Sequence, residues 1–213
     1  MTTGKLTKLI EAFIYPEEDP RNYIGASSIG SDCWRQIWYE IKGEKGEGVS
    51  NKIRRTWEIG KRLEGLIIDL LKASGIEFEN HQVELKDPNL PYFKGHFDGL
   101  MINPYAILEI KTAKDASFKI FVRDGCKKWN PKYYAQLQSY MGMSSVFSAY
   151  ILVLNKDNSE VWDELVLFDS DFYQKLCDKA QMIYEAKIPP PRINGNPLFY
   201  LCKQCKFRKV CHK

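Results

Sequence analysis

The run Leu108-Glu109-Ile110-Lys111-Thr112 places two opposite charges, two residues apart, inside an otherwise apolar stretch. On a β-strand, residues i and i+2 point to the same face. Glu109 and Lys111 therefore project together, and Leu108 and Ile110 point into the opposite, buried layer. A few residues upstream, Gly95-His96-Phe97-Asp98-Gly99 carries a carboxylate that a neighbouring strand can bring to the same place. Two carboxylates converging at a strand edge can hold a hard divalent cation, which takes oxygen ligands. A lysine beside them can orient or help deprotonate a water, and the set then suits metal-assisted hydrolysis of a phosphodiester. The same alternation also suits a solvated strand face with cross-strand ion pairs, so the surrounding features decide how it is read.

The chain has 213 residues, 44% of them hydrophobic and 13% aromatic, enough for one domain with a substantial core. The net charge of +4 is compatible with a nucleic-acid partner and does not demand one. There is no apolar run of membrane-spanning length and no signal-peptide pattern, so the expected setting is cytoplasmic, without a membrane partner. Six cysteines in such a chain read as free thiols or metal ligands rather than a disulfide framework.

Helices are expected over 3–14, from Ser27-Ser28 to about Ile41, from the Ser50 cap to about Ala73 (ended by Gly75), over 115–123 up to Gly125, from Pro131 to about Met143, and from Asp169-Ser170 to about Ala186. Strands are expected near 77–85, 92–102, 105–112, 148–154 and 161–168, with turns at Asn103-Pro104 and Lys156-Asp157-Asn158. The order predicts an α/β fold with a mixed central sheet flanked by helices. It divides into an N-terminal helical part (1–49), a core (50–187) and a Cys-rich tail (188–213).

Three constellations accompany the acid–lysine pattern. Glu64 lies four residues after Gly60 on the long helix, where a carboxylate can add a third metal ligand. Gln136 and Tyr140, also four apart, can contact a phosphate or orient the lysine. The tail carries Cys202, Cys205 and Cys211, and thiolates so closely spaced can turn toward one ion. A fourth ligand is open among Cys33, Cys126, Cys177 and His212, and either a Cys3His zinc site or an iron–sulfur cluster would suit the set. Cys177 reads as core packing and Cys126 as an exposed loop thiol. His96, two residues before Asp98, shares its face on a regular strand, and His81 has no informative neighbours. Arg54, Arg55, Lys61 and Arg62 on the long helix are candidates for contacts to a DNA backbone, and Trp57 or Tyr134 for stacking on a base.

In this order the parts resemble the PD-(D/E)xK nuclease superfamily, in its RecB-like branch, and within it the CRISPR-associated Cas-four nuclease family and its phage-encoded relatives. The resemblance runs over nearly the whole chain: Cys33 in Ser27-Ser28-Ile29-Gly30-Ser31-Asp32-Cys33-Trp34-Arg35, the Gly60…Glu64 helix, Asp98, Glu109-x-Lys111, Gln136-x3-Tyr140, and a Pro-rich lead into Cys202, Cys205 and Cys211. It implies a restriction-endonuclease-like core. It also implies a [4Fe-4S] cluster on Cys33, Cys202, Cys205 and Cys211, with structural Zn2+ as the alternative. Mg2+ or Mn2+ would be held by Glu64, Asp98, Glu109 and the Ile110 carbonyl. The implied activity is a DNA exonuclease on single-stranded DNA or DNA ends, with 5'→3' polarity and possible endonuclease activity. The alternative is a non-catalytic DNA-binding or accessory subunit of a recombination or CRISPR-adaptation complex. A homo-oligomer or a partner from such a complex is compatible with it. The Cas-four proteins usually have histidine where this chain has Glu64, whereas glutamate is familiar in other RecB-like nucleases.

Overall fold

The computed structural model describes residues 4–16, 21–80 and 83–213. Thr3, at the start of the first expected helix, and His81 lie outside them. The central layer is a five-stranded sheet of order β2-β5-β6-β7-β8, built from β2 (Phe78–Asn80), β5 (Gly99–Met101), β6 (Ala106–Ala113), β7 (Ser148–Asn155) and β8 (Val161–Leu167). All neighbours pair antiparallel except β6 and β7, which run parallel. A parallel pair needs a long crossover, and α5 (Asp115–Trp129) and α6 (Pro131–Ser144) supply it. A smaller sheet of order β1-β4-β3 joins β1 (Ile24–Gly25), β4 (Phe93–His96) and β3 (Glu84–Lys86).

Helices cover both faces of β6. The Ser50 hydroxyl caps α4 (Asn51–Ala73) by accepting from the Ile53 amide. The C-terminal half of α4 lays Ile67, Ile68 and Leu71 against Leu108, Ile110 and Leu154. On the opposite face Ile107, Ala149, Ile151 and Val153 pack with Phe118, Phe121, Leu137 and Met141 of α5 and α6. The N-terminal half of α4 leaves Ile53, Trp57 and Ile59 half exposed. Behind α6 lies α7 (Ser170–Glu185), capped by Asp169.

The expected α/β arrangement, a mixed sheet flanked by helices, is present, with four departures. The expected 77–85 and 92–102 strands each split, and their halves join different sheets, so the mixed sheet is accompanied by a second one. The helix expected through 27–41 breaks into α2 (Ala26–Ile29) and α3 (Trp34–Ile41). The bend falls at Gly30, where a Cβ would sit 2.7 Å from the Lys132 Cα, so only glycine lets this segment lie on α6. At Gly125 the backbone swings to φ 75°, and α5 resumes for one more turn. The Glu164 carboxylate accepts from the Cys126 amide at 2.6 Å just beyond. That closure buries Cys126 completely, contrary to its expected exposure.

A buried carboxylate also ties the small sheet to the helices. Asp87 accepts from the amides of Asn89 and Leu90 at 2.9 and 2.8 Å, and from the Tyr173 hydroxyl. The Tyr173 ring lies against Gly142 of α6 so closely that a Cβ there would overlap it. Gly142→Ala is expected to destabilise the fold by about 1–3 kcal/mol, lowering the melting temperature by roughly 2–4 °C per kcal/mol for a chain of this size. Thermal denaturation followed by circular dichroism measures it.

Candidate active site

Alternation along β6 puts Glu109 and Lys111 on the α6 side and Leu108 and Ile110 on the α4 side. The α6 side is packed rather than solvated. Glu109 is 1% exposed, and its Oε1 accepts from the Lys111 ammonium and, at 2.8 Å, from the Gln136 amide. Gln136 also donates to the Tyr140 hydroxyl at 2.6 Å. Glu109 Oε2 is buried and, among the described residues, has no hydrogen-bond partner. Asp98 sits between β4 and β5, where its Oδ2 accepts from the Ile110 amide at 2.7 Å. The Glu64 carboxyl, from α4, shares a hydrogen bond with Asp98 and raises the proton affinity of Glu109 by its charge. Asp98, Glu109, Lys111, Gln136, Tyr140 and Glu64 thus meet at one place.

Burial pushes the Glu109 carboxyl up to about 8; the Lys111 charge opposes this, and the Asp98 and Glu64 carboxylates add to it. Burial also raises Asp98, against the pull of Lys111 and the Ile110 amide. Burial alone would lower the Lys111 ammonium, but the charges of Glu109 and Asp98 outweigh it and hold Lys111 above its ordinary value. In this arrangement Lys111 is an ammonium that donates to Glu109 Oε1. The carboxyls of Glu109 and Asp98 both face this one cation.

The other expected residues are placed as follows. Gln136 and Tyr140 are buried and turned to Glu109, so they position the carboxylate rather than touch a strand. Tyr134 is buried against Phe172 beneath Lys127 and offers no stacking surface. Tyr133, one residue earlier, was missed. Its half-buried ring lies 5.0 Å from the Lys111 ammonium, a cation–π contact, and its spacing of three before Gln136 is the signal that could have found it. His96 ends β4 exposed beside Glu84 rather than on the face of Asp98. Arg54 donates to the Pro16 carbonyl at 2.8 Å, and Arg55 pairs with Glu11 of α1 (Lys5–Ala12) at 2.7 Å. Both guanidiniums therefore hold the N-terminal segment. Lys61 and Arg62 remain exposed on α4.

The tail folds back onto α3. Arg35 donates to the Pro190 carbonyl at 2.5 Å and approaches Cys211 Sγ at 3.8 Å, and Trp38 donates to the Ala186 carbonyl at 2.8 Å. Cys33, Cys202, Cys205 and Cys211 line one cavity, and none is in a disulfide. Burial raises the thiols of Cys202 and Cys205. Cys126 and Cys177 lie elsewhere in the core, the latter against Asp87. Among the described residues, no three His, Cys, Asp or Glu side chains are posed around a single metal ion. At the carboxylates, Lys111 and Gln136 occupy Glu109 Oε1 and the Ile110 amide occupies Asp98 Oδ2. The unpartnered Glu109 Oε2 and the excess of carboxylates are the features that fit a cation.

In the absence of divalent cations, Glu109 makes stability fall as pH rises. Its folded value, about 8, lies above the ordinary 4.5. Between these the folded chain holds a proton that the unfolded chain has lost, so the contribution is full below the lower value and gone above the upper. In chelator, Glu109→Gln is expected to gain stability relative to the parent as pH rises across that window; chemical denaturation at several pH values measures the difference.

No family model matches the chain, and no curated protein matches it. Its fold does match solved structures. An alkaline exonuclease from Laribacter hongkongensis is similar with a TM-score of 0.60 at 13% identity, over 77% of this chain and 87% of that one. A phage-related exonuclease from Haemophilus somnus 129PT is similar with a TM-score of 0.58 at 16% identity, over 76% and 93%. The protein SSO0001 is similar with a TM-score of 0.58 at 18% identity, over 98% and 96%. At these identities what is shared is the mixed α/β architecture.

Proposed function

We propose that this chain is a divalent-metal-dependent deoxyribonuclease of the PD-(D/E)xK type, an exonuclease acting on single-stranded DNA or DNA ends in the 5'→3' direction. The observation that carries the reading is the buried, unpartnered Oε2 of Glu109, set beside Asp98, Glu64 and Lys111 in a fold that exonucleases share. A carboxylate stripped of water and left with a free oxygen is costly unless something positive completes it.

Asp98, Glu109 and Glu64, with the Ile110 carbonyl, would hold Mg2+ or Mn2+, which take oxygen ligands. The bound cation would supply charge stabilisation at the scissile phosphate and a water of lowered pKa. The protein's own groups do the rest. Lys111 would position or activate the attacking water and steady the charge that grows on the scissile phosphate. Gln136 fixes the Glu109 carboxylate and is itself fixed by Tyr140; Tyr133 limits the swing of Lys111. Packing of β6 on both faces keeps bulk water from the carboxylates, where charge interactions are stronger.

The reading includes a [4Fe-4S] cluster on Cys33, Cys202, Cys205 and Cys211. Four thiols around one cavity, none of them in a disulfide, are a fitting donor set. The cluster's role would be structural, joining the two ends of the chain.

End-labelled single-stranded DNA incubated with Mn2+ or Mg2+ is the direct test. The parent is expected to degrade it, chelator to stop degradation, and Lys111→Ala to lower the rate by 100-fold or more, on the order of the loss of one charge-stabilising donor. Equal activity in parent and variant would assign the cleavage elsewhere. For the tail, anaerobically purified protein is expected to contain iron and sulfide with visible absorbance. Cys202→Ala should lose both and melt at lower temperature, whereas stoichiometric zinc without visible absorbance would replace the cluster by a zinc site.

A further inference from the structure

We infer that the polar cleft between α4 and the α2–α3 segment, with Lys132 of α6 on its rim, is a binding channel for a single strand of nucleic acid, with Trp57 as its stacking platform. The inference rests on the nuclease reading for its substrate class, and on geometry for its place. The cleft measures about 550 Å³. On α4 its wall is formed by Trp57 and Lys61, which lie seven and three residues before Glu64 and so on the same helical stripe. On α6 its rim is Lys132, four residues before Gln136 and eight before Tyr140. Wall and rim thus run from the faces that carry the carboxylate site. Arg21, which also lines the cleft, lies near enough to Tyr140 to act on its hydroxyl electrostatically.

The chemistry of the walls selects the ligand. Arg21, Lys61 and Lys132 put three exposed cations around the opening, Lys61 with Glu58 beside it at 3.4 Å, a set that answers phosphates. The acids on the far side are partly neutralised, since Glu40 pairs with Lys206 at 2.7 Å and Glu44 stands alone among the lining residues. Trp57 is 48% exposed and lines this cleft, and nothing in the core explains an indole left beside polar walls. A positively charged groove with an aromatic face is the pattern that binds single strands without regard to sequence. A cleft of this volume is of ligand-pocket size and takes about one or two nucleotides, which favours a strand over a duplex.

The test is binding of a fluorescein-labelled oligothymidylate, followed by anisotropy in chelator so that no cleavage occurs. Trp57→Ala is expected to weaken binding about tenfold, with Trp57→Phe close to the parent, because stacking needs a ring rather than an indole. The parent's tryptophan fluorescence should be quenched by the oligonucleotide, and the quenched component should vanish in Trp57→Phe. Lys132→Ala should reduce the salt dependence of log Kd by about 0.7, one phosphate contact on a single strand. A blunt duplex should bind more weakly to the parent and be indifferent to Trp57→Ala. Unchanged oligonucleotide affinity in Trp57→Ala, or an equal loss on the duplex, would overturn the channel. Neither readout needs catalysis, so a parent chain that binds in this way yet cleaves nothing would sink the nuclease reading and leave the channel standing.

Discussion

The burial of Glu109 is the constraint around which the rest of the structure is arranged. A carboxylate in the middle of a strand covered on both faces has no water to turn to, and its desolvation must be offset by fixed partners. Lys111 and Gln136 supply them on one oxygen, and Tyr140 holds Gln136 in turn. This fixes the register of α6 over β6, since only one stripe of that helix can present both residues. It also brings β4 close: a Cβ on Gly95 would lie 2.5 Å from the Tyr140 ring, so this strand passes because it has no side chain there. The same approach lets Asp98, three residues on, reach the Ile110 amide. Packing and site are one set of contacts, and the oxygen left unpartnered marks where they stop serving the fold alone.

Much of this was legible in the residues. Strand alternation put Glu109 and Lys111 together and sent Leu108 and Ile110 the other way, and that is how β6 sits. The Ser50 cap, Gly75 and Pro131 marked the two long helices that carry Glu64 and Gln136. What periodicity could not reveal is where a strand changes sheets. The expected 92–102 strand is two short pieces, and Phe97-Asp98 is the step between them, so the strand rule that put His96 beside Asp98 failed. Nor could it show that the α6 side of β6 is dry. The roles of Gln136 and Tyr140 follow from that dryness: side chains that would touch a strand on a wet face can only hold a carboxylate on a packed one. Tyr134 and Tyr133 exchange roles for the same reason, because a helix turns one of two neighbours inward.

The arginines of α4 teach a related point. Basic residues on a long helix near a candidate site invite assignment to a DNA backbone, but Arg54 and Arg55 are spent on a carbonyl and a carboxylate of the N-terminal segment. Each makes one charge-assisted hydrogen bond to that segment, so its charge is answered within the molecule. Charge alone therefore does not mark a binding face. What distinguishes Lys61 and Lys132 is that their helical stripes lead to the carboxylates and open on a cleft.

The tail is seated by ordinary contacts before any metal is considered. Phe207 is 1% exposed and packs on Tyr39 of α3 at 5.4 Å, Lys206 pairs with Glu40, and Arg192 donates to the Cys211 carbonyl at 2.6 Å. A site whose ligands are already brought together loses less chain entropy on binding than one that must collapse from an open chain. The cysteine cavity also shares Gln36 and Phe207 with the polar cleft, so the two are separated by a single layer of side chains. Anything that loosens the tail would move Lys206 and Phe207, and with them the outer wall of the cleft, while β6 and α6 would keep their places. The physical division of labour follows: the sheet and α6 set the chemistry, and the joined ends of the chain shape the approach to it.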